Sequence, residues 1–242
     1  MLEIVPLGDL ALRVSFGNEI NEAIHWEIQG FIAKLKAANV QGIVEWVPTY
    51  NAVAIYYRPE IISFANLVVK VKEINNQTKN VKAIHPIVFE IPVYYGGPDL
   101  SFIADYHHLS VDEVIAMHSN KEYLIYMMGF VPGFPYLGGL SPKLVVPRLE
   151  HPRPRIPAGS VGIGSNQTGI YPSEVPSGWR ILGITPVKLF DVNNSSPILF
   201  SAGHYIKFYP IDKQEYARIN QLVEENKFHV RFYKRGEYDE GN

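Results

Sequence analysis

Aromatic residues separated by proline and glycine are the strongest chemical signal in this sequence, and they lie in the run GFVPGFPYLGGL at residues 129–140. Proline and glycine at this density interrupt regular helices and strands, so the run should form a stiff loop whose rings are fixed in direction. We predict that Phe130, Gly133, Phe134 and Tyr136 form the apolar wall of a ligand pocket or a partner surface. The alternative is a loop folded onto its own domain, with the rings closing the end of the core. We favour an open groove in which the Phe134 ring is partly exposed.

Three arginines follow this loop, Arg148, Arg153 and Arg155, and prolines at positions 147, 152, 154 and 157 keep their segment extended. Arginine side chains hold carboxylate and phosphate groups through paired hydrogen bonds. We therefore predict that these arginines bind an anionic ligand or a partner. The alternative is that they pair with acids of the N-terminal part of the chain and have no further role.

Glycine-rich turns next to the arginines contain Gly159 and Ser160. A serine nucleophile of the hydrolase type needs Gly-x-Ser-x-Gly between a strand and a helix, and Ser160 has neither both glycines nor a following helical pattern. No Gly-Lys-Ser/Thr follows the turn, so a phosphate loop is not predicted either. Ser160 should instead hold a turn or donate to a ligand, and backbone N–H groups of the turn could contact an anion.

The candidate metal ligands are the eight histidines. Of these, His107, His108 and His118 form the only cluster in the sequence. Their spacing does not match the i, i+4 pair of a zinc helix. The chain has no cysteine, which excludes disulfides, thiolate metal sites and a cysteine nucleophile. We expect no bound metal.

All of these features except the histidines belong to one segment, residues 129–186, whose composition differs from that of the remaining chain. It contains 10 of the 19 glycines and 10 of the 18 prolines. Its five basic and two acidic residues give a net charge of +3, whereas the whole chain carries -2. A locally basic, loop-rich segment therefore lies within a mildly acidic chain, and the overall charge does not favour nucleic acid as a partner.

The composition of the 242 residues, 47% hydrophobic and 19% charged, is that of a folded protein with a sizeable core. The first residues, MLEIVPLGDL, are not those of a signal peptide, and no apolar run is long enough to span a membrane. We expect a soluble, cytoplasmic protein with no membrane partner.

Hydrophobic periodicity predicts the elements that position the segment. Residues 1–84 show the order ββαββα, and the first helix is indicated by Ile24, Ile28 and Phe31, with Asn18 as its N-cap and Asn39 at its C-terminal end. This order predicts an α+β fold with a small N-terminal α/β sandwich domain.

From residue 85 onward the pattern changes to many short strands with Gly/Pro turns and peripheral helices, which is typical of a barrel. One helix should begin with a capping box formed by Ser110 and Glu113, and residues 187–191 should form a strand. We place the domain boundary near residue 85, giving domains 1–84 and 85–242.

Long motifs in the same segment carry a family resemblance. They are GFVPGFPYLGGL, VPRLEHPRPRIPAGSVGIGSNQTGIYP and PSGWRILGITPVKLFD, with LGDLALRVSFG near the N-terminus and IPVYYGG followed by PDL between them. These motifs resemble the allophanate hydrolase subunit 1 family over nearly the whole chain. The resemblance implies a small N-terminal α/β domain followed by a cyclophilin-like β-barrel domain.

Three possible activities are implied by this resemblance. One branch of the family is the B subunit of an ATP-dependent 5-oxoprolinase, which acts with the A and C subunits to open 5-oxo-L-proline to L-glutamate. The alternative branch is a regulatory protein that binds and inhibits a sporulation-type sensor histidine kinase, and a third option is a protein acting on a urea-derived amide as part of a larger enzyme. We favour the first, with ATP used by the complex and not bound by this chain alone.

Site residues follow from the same resemblance. It implies His118 and Tyr136 for proton handling, and Arg148, Arg153 and Ser160 as donors to charged groups of the substrate. The remaining expected binding residues lie in the shared motifs and are Phe130, Gly133, Phe134, Arg155, Gly159, Tyr171, Trp179 and Thr185.

The sequence departs from the family pattern at two positions. The usual Pro-Gly-Gly-Trp has Ser177 in place of its second residue, and the usual Gly-Arg-Thr-Pro has Ile184 in place of arginine. Loss of that arginine removes a cation from the expected cleft and weakens the case for an anionic substrate.

Overall fold

Two helices cover one face of a four-stranded antiparallel sheet in the N-terminal unit of the chain, Met1–Ile84. The computed structural model describes residues 2–77 and 85–236. The elements of this unit have the predicted order: β1 (Glu3–Pro6), β2 (Ala11–Ser15), α1 (Glu22–Ala38), β3 (Ile43–Pro48), β4 (Ala52–Tyr57) and α2 (Phe64–Asn75). The strands lie side by side as β1-β2-β4-β3, and their inward residues pack against apolar side chains of both helices.

The ends of α1 show where sequence patterns are reliable and where they are not. The N-cap is Asn21, whose side chain accepts a hydrogen bond of 2.9 Å from the backbone N–H of Ile24, so the prediction of Asn18 was wrong by one turn. Asn39 ends the helix in the left-handed conformation with φ 43°, as predicted.

The second unit, His85–Asn242, begins at the residue where the sequence indicates a boundary. That the two units are independent domains stays a prediction. The elements of the second unit are β5 (Ile87–Val93), α3 (Leu100–Tyr106), α4 (Val111–Ser119), β6 (Glu122–Met128), β7 (Pro135–Gly138), a 3₁₀ turn (Pro142–Leu144), β8 (Arg153–Ile156), β9 (Ser160–Gly164), β10 (Gln167–Ile170), β11 (Val175–Ser177), β12 (Arg180–Ile184), β13 (Tyr205–Pro210), α5 (Lys213–Glu224) and β14 (Arg231–Lys234).

Eight of these strands form one sheet in the order β12-β9-β10-β7-β6-β13-β5-β14, while β8 and β11 pair with each other. Among the strand pairs of the described residues, only β13 and β5 run parallel. Within the described ranges the sheet does not close into a barrel, although Tyr94, just after β5, bridges to Ile184 on the edge strand β12. The cyclophilin-like barrel therefore stays a prediction.

The segment 129–186, predicted to be loop-rich, also contains six short strands, β7 to β12. Glycine is abundant here because aromatic rings lie directly on the strands. A Cβ at Gly164 would overlap the Trp179 indole, and one at Gly169 would lie 3.0 Å from Cζ of Phe134. The strand expected at residues 187–191 does not form, and only Phe190 makes an isolated antiparallel bridge, with Ile198.

The predicted capping box at Ser110 is confirmed, with the Ser110 and Glu113 side chains each bonded to the other's backbone N–H. Across residues 2–77 and 85–236, no helix has the length and apolar character needed to cross a membrane.

Candidate functional site

Phe134 and the four aromatic side chains around it form the candidate site. The Phe134 ring has its centroid 5.7 Å from that of Phe130, 5.0 Å from Tyr136, 5.2 Å from Tyr171 and 5.6 Å from Trp179, in each case edge to face. Each such contact contributes about 0.5–1.5 kcal/mol beyond the apolar area it buries. We call these five residues the aromatic cluster.

Phe134 is the buried centre of the cluster, with 2% of its surface exposed. The prediction that its ring lines an open groove was therefore wrong, and the ring closes the core as in the alternative. The physical reason is Gly169 on β10, which has no side chain and leaves room for the ring. Sequence reasoning had no means of deciding which ring of the loop points inward.

Phe130 is the exposed member, with 59% of its surface accessible. Its backbone has φ 66°, a left-handed conformation that costs a non-glycine residue about 1 kcal/mol or more. Short hydrogen bonds close the loop around it, from Val131 N–H to the Gly129 carbonyl and from Phe134 N–H to the Val131 carbonyl. The fold thus holds an exposed aromatic ring on a backbone of unfavourable conformation, and the role of Phe130 in binding stays a prediction.

Gly133 has a conformational role. Its φ is 86°, and a Cβ there would lie 3.0 Å from Phe190 Cβ and 3.2 Å from the Leu189 carbonyl oxygen. Glycine at this position therefore lets the aromatic loop pack against the connection after β12.

Arg153 is bonded inside its own unit. Its guanidinium donates two hydrogen bonds, of 2.7 and 2.9 Å, to the carboxylate of Asp99. Arg180 lies 3.5 Å from the same carboxylate, which also accepts the backbone N–H of Ile181 at 2.7 Å. Asp99 takes two of the five N–H donors of this guanidinium, and the role of Arg153 in ligand binding stays a prediction. The predicted alternative partner, an acid of the N-terminal domain, was wrong, since Asp99 precedes α3 and does not belong to the N-terminal unit.

Asp99 is the charged centre of this network, with 5% of its side chain exposed. Burial alone would raise the pKa of its carboxyl group. The hydrogen bonds from Arg153 and Ile181 and the positive charges of Arg153 and Arg180 outweigh burial, so the pKa lies below its usual value. Asp99 therefore remains ionised and ties β8 and β12 to the start of α3.

The other two arginines lie at the surface. Arg155 pairs with Glu174 at 3.7 Å, and both side chains are more than half exposed. The Arg148 guanidinium lies 5.8 Å from the ring centroid of Trp179, within the range of a cation–π contact. In the ranges that the structure describes, Arg148 makes no ion pair.

Arg148 also acts on the two phenols of the cluster. Burial raises the pKa of Tyr171 to about 12, while a hydrogen bond with Ser177 and the charge of Arg148 oppose that rise. Burial raises the pKa of Tyr136 as well, again against the Arg148 charge. Both phenols therefore keep their protons at neutral pH, and Tyr136 can serve as a hydrogen-bond donor but not as a base.

His118 lies in the core and not in the aromatic cluster. Its ring stacks on Phe208 with a centroid distance of 4.6 Å, and both ring nitrogens are bonded, Nδ1 to the Tyr95 hydroxyl at 2.7 Å and Nε2 to Thr168 Oγ1 at 2.9 Å. The Thr168 hydroxyl donates to the Gly162 carbonyl, so it accepts from Nε2–H, and Nδ1 accepts from Tyr95.

Burial lowers the pKa of His118 to about 3, so the ring is neutral. The role in proton handling stays a prediction, and the geometry opposes it, because the ring is fully buried and neither nitrogen is available to a substrate.

Gly159, Ser160 and Thr185 hold strands together behind the cluster. Gly159 has φ 82°, its N–H donates to the Tyr171 carbonyl, and its own carbonyl accepts from Thr185 N–H. Ser160 is 2% exposed and its carbonyl accepts from Tyr171 N–H. Their backbone groups thus form a frame that positions Tyr171, and the predicted contact of these three residues with a ligand stays a prediction.

Comparison with known proteins assigns the family. Residues 2–200 match the model of the carboxyltransferase domain, subdomain C and D. The chain belongs to this family. The B subunit of the Bacillus subtilis 5-oxoprolinase is 39% identical over 227 residues, which cover 88% of this chain and 95% of that protein. Its counterpart from Haemophilus influenzae is 39% identical over 210 residues, covering 86% and 97%. The resemblance drawn from the motifs is thereby confirmed.

Solved structures show the same fold in carboxyltransferase-type proteins. A crystal structure of TTHA0988 matches 84% of this chain with a TM-score of 0.73 and 33% identity, and the chain spans 40% of that protein. The urea amidolyase of K. lactis matches 96% of the chain with a TM-score of 0.80. Its identity is 20%, so the likeness shows the fold alone, and the chain spans 16% of it.

Ser177 and Ile184, the two positions at which the sequence was expected to depart from the family pattern, both make defined contacts. The Ser177 hydroxyl lies 2.6 Å from the Tyr171 hydroxyl and also accepts from Trp179 N–H, so it orients two members of the aromatic cluster. Ile184 forms two backbone hydrogen bonds with Tyr94, an interaction that does not depend on its side chain.

Asp99 and Arg180, which form the buried charged network with Arg153, were not predicted from the sequence. Arg180 lies 3.7 Å over the Phe102 ring and contacts Asp99. The available signal was the acid directly after Gly96-Gly97-Pro98, at the start of a helix, but its partners are 54 and more residues away in the chain. In the described part of the chain, no group of three or more histidine or acidic side chains could hold a metal ion.

Proposed function

We propose that the chain is the B subunit of an ATP-dependent 5-oxoprolinase that opens 5-oxo-L-proline to L-glutamate together with the A and C subunits. The observation that carries this proposal is the identity of 39% with the corresponding Bacillus subtilis 5-oxoprolinase protein over 95% of that protein's length. A match of this extent leaves no large segment of the relative without a counterpart.

The chemistry explains why several subunits and ATP are needed. An unstrained lactam is a poor electrophile, and phosphorylation of its oxygen converts that oxygen into a leaving group. The substrate carboxylate and the transferred phosphate carry negative charge that must be held by cations and hydrogen-bond donors in a water-poor site. Arg148 and the aromatic cluster offer a cation beside apolar rings, which supports a substrate-binding role for this chain.

Reconstitution from separately purified proteins tests the proposal. We expect 5-oxoproline-dependent ATP hydrolysis and glutamate release when the chain is mixed with the A and C subunits, and neither product from the chain alone. The control is the mixture of the A and C subunits without this chain, measured at equal concentrations. If adding the chain does not stimulate that mixture, the proposal is wrong.

The cytoplasmic location and the use of ATP by the complex belong to the same proposal. Inhibition of a sporulation-type histidine kinase stays a prediction from the family resemblance, because no described contact identifies a kinase as the partner. The same purified chain, added to an autophosphorylating sensor kinase, tests it directly.

A further inference from the structure

Arg148 differs from the other arginines of its segment in having no acidic partner. Arg153 and Arg180 contact Asp99, and Arg155 contacts Glu174. Among residues 2–77 and 85–236, no carboxylate lies within ion-pair distance of Arg148, and its side chain is exposed. A guanidinium beside apolar rings and without a counter-ion is a site for an external anion.

Neighbouring residues hold Arg148 in a defined position beside Trp179. Leu149 N–H donates to the Gly178 carbonyl at 2.7 Å, which fixes the backbone of Arg148 beside Trp179. A Cβ at Gly178 would lie 3.9 Å from Arg148 Cβ, an ordinary van der Waals contact, so the two residues are direct neighbours. The Trp179 ring in turn packs on Phe134, which keeps its face in place beneath the guanidinium.

We infer that Arg148 binds the carboxylate of 5-oxoproline, with the half-buried Tyr136 beside it as the wall for the lactam ring. Trp179 is only 5% exposed and serves to hold the guanidinium in place. The inference rests on the proposed function. 5-Oxoproline carries one carboxylate and a flat amide, which match a planar guanidinium fork and an aromatic ring. The phosphates of ATP have related anionic chemistry, so the experiment must distinguish the two sources.

Steady-state kinetics of the complete complex provide the test, with Arg148→Ala and Arg148→Lys in this chain. Loss of a charge-assisted hydrogen bond should raise the KM for 5-oxoproline about 10- to 100-fold while the KM for ATP stays unchanged. Arg148→Lys keeps the charge but not the fork, so its KM should be intermediate. The matched control is Arg218→Ala, which removes an exposed arginine of α5 that pairs with Glu215.

A second substrate separates carboxylate binding from a general loss of activity. 2-Pyrrolidinone is the same lactam without the carboxylate. Arg148→Ala should lower kcat/KM for 5-oxoproline and leave kcat/KM for 2-pyrrolidinone unchanged. Equal losses for both lactams would overturn the inference.

The outcomes remain distinguishable from failure of the proposed function. A wild-type complex without 5-oxoproline-dependent ATP hydrolysis refutes the function and the inference together. An active wild-type complex whose KM values do not change in Arg148→Ala refutes the inference alone. A rise in the KM for ATP only assigns Arg148 to phosphate and also refutes it.

Discussion

Arg148 and Arg153 lie five positions apart in one proline-rich segment and have opposite environments. The Arg153 guanidinium is paired in two hydrogen bonds with the buried Asp99, whereas that of Arg148 is exposed over the Trp179 ring and has no acidic partner in the described ranges. The aromatic loop shows the same contrast, with Phe134 buried and Phe130 exposed. Neighbouring residues of one type thus divide into those that build the fold and those available to a ligand, and residues distant in sequence decide between the two.

The largest expected difference is between the two phenylalanines. Phe134→Ala should reduce the free energy of unfolding by about 3–5 kcal/mol, because it leaves a cavity among four other rings. Phe130→Ala should change it by less than about 1 kcal/mol, since its ring is mostly in solvent. Denaturant melts followed by circular dichroism measure both, with Phe134→Leu as a variant that retains most of the volume. Equal losses for the two alanine variants would contradict the contrast.

The difference in stability between variants of the buried Asp99 network and of the exposed Arg155–Glu174 pair should be smaller. Asp99→Asn leaves Arg153 and Arg180 without their counter-ion and should destabilise the protein by about 2–4 kcal/mol. Arg155→Ala breaks only the exposed pair with Glu174 and should cost less than about 1 kcal/mol. Thermal unfolding of the two variants beside wild type measures the difference. A melting temperature for Asp99→Asn equal to that of Arg155→Ala would show that the buried network does not stabilise the fold.

The smallest of the expected effects on the free energy of unfolding comes from the buried, neutral His118, and this effect depends on pH. Burial lowers the pKa of His118 to about 3, whereas an unfolded imidazole titrates near about 6.5. Between these values only the unfolded chain binds the proton, so stability falls as the pH falls. From pH 7 to pH 5 the loss through His118 should be about 2 kcal/mol.

The comparison of His118→Gln with wild type isolates that loss. The variant should lose about 2 kcal/mol less than wild type between pH 7 and pH 5, whatever its stability at pH 7. Burial lowers the pKa of His25 in the N-terminal unit to about 4, so His25→Gln should also reduce the slope and serves as the parallel arm. An unchanged slope in His118→Gln would mean that the ring is protonated or accessible in the folded protein.

Local patterns predicted those features that depend on neighbours in sequence. The order ββαββα, the cap at Ser110 and the left-handed Asn39 all follow from periodicity or from a side chain bonding to a backbone group three residues away. Asn18 shows the limit of such patterns, since Asn21 is also a good cap and the choice depends on which turn first packs on the sheet.

Glycine was the residue type most easily misread. In segment 129–186 it predicted loops, but Gly164 and Gly169 lie within strands and make room for Trp179 and Phe134. Glycine lacks a side chain in a strand as in a turn, and only the ring packed against it distinguishes the two cases.

The sequence by itself determined the family, the local elements and the presence of a basic, aromatic segment, because motifs and periodicity are written in consecutive residues. Only the tertiary structure decided which arginine is available to a ligand, since Asp99 reaches Arg153 across 54 positions. The same holds for His118, whose neutral state results from burial against residues of other elements, such as Phe208. Ion pairing and burial act through space, so residues of the same type in one segment can have different roles.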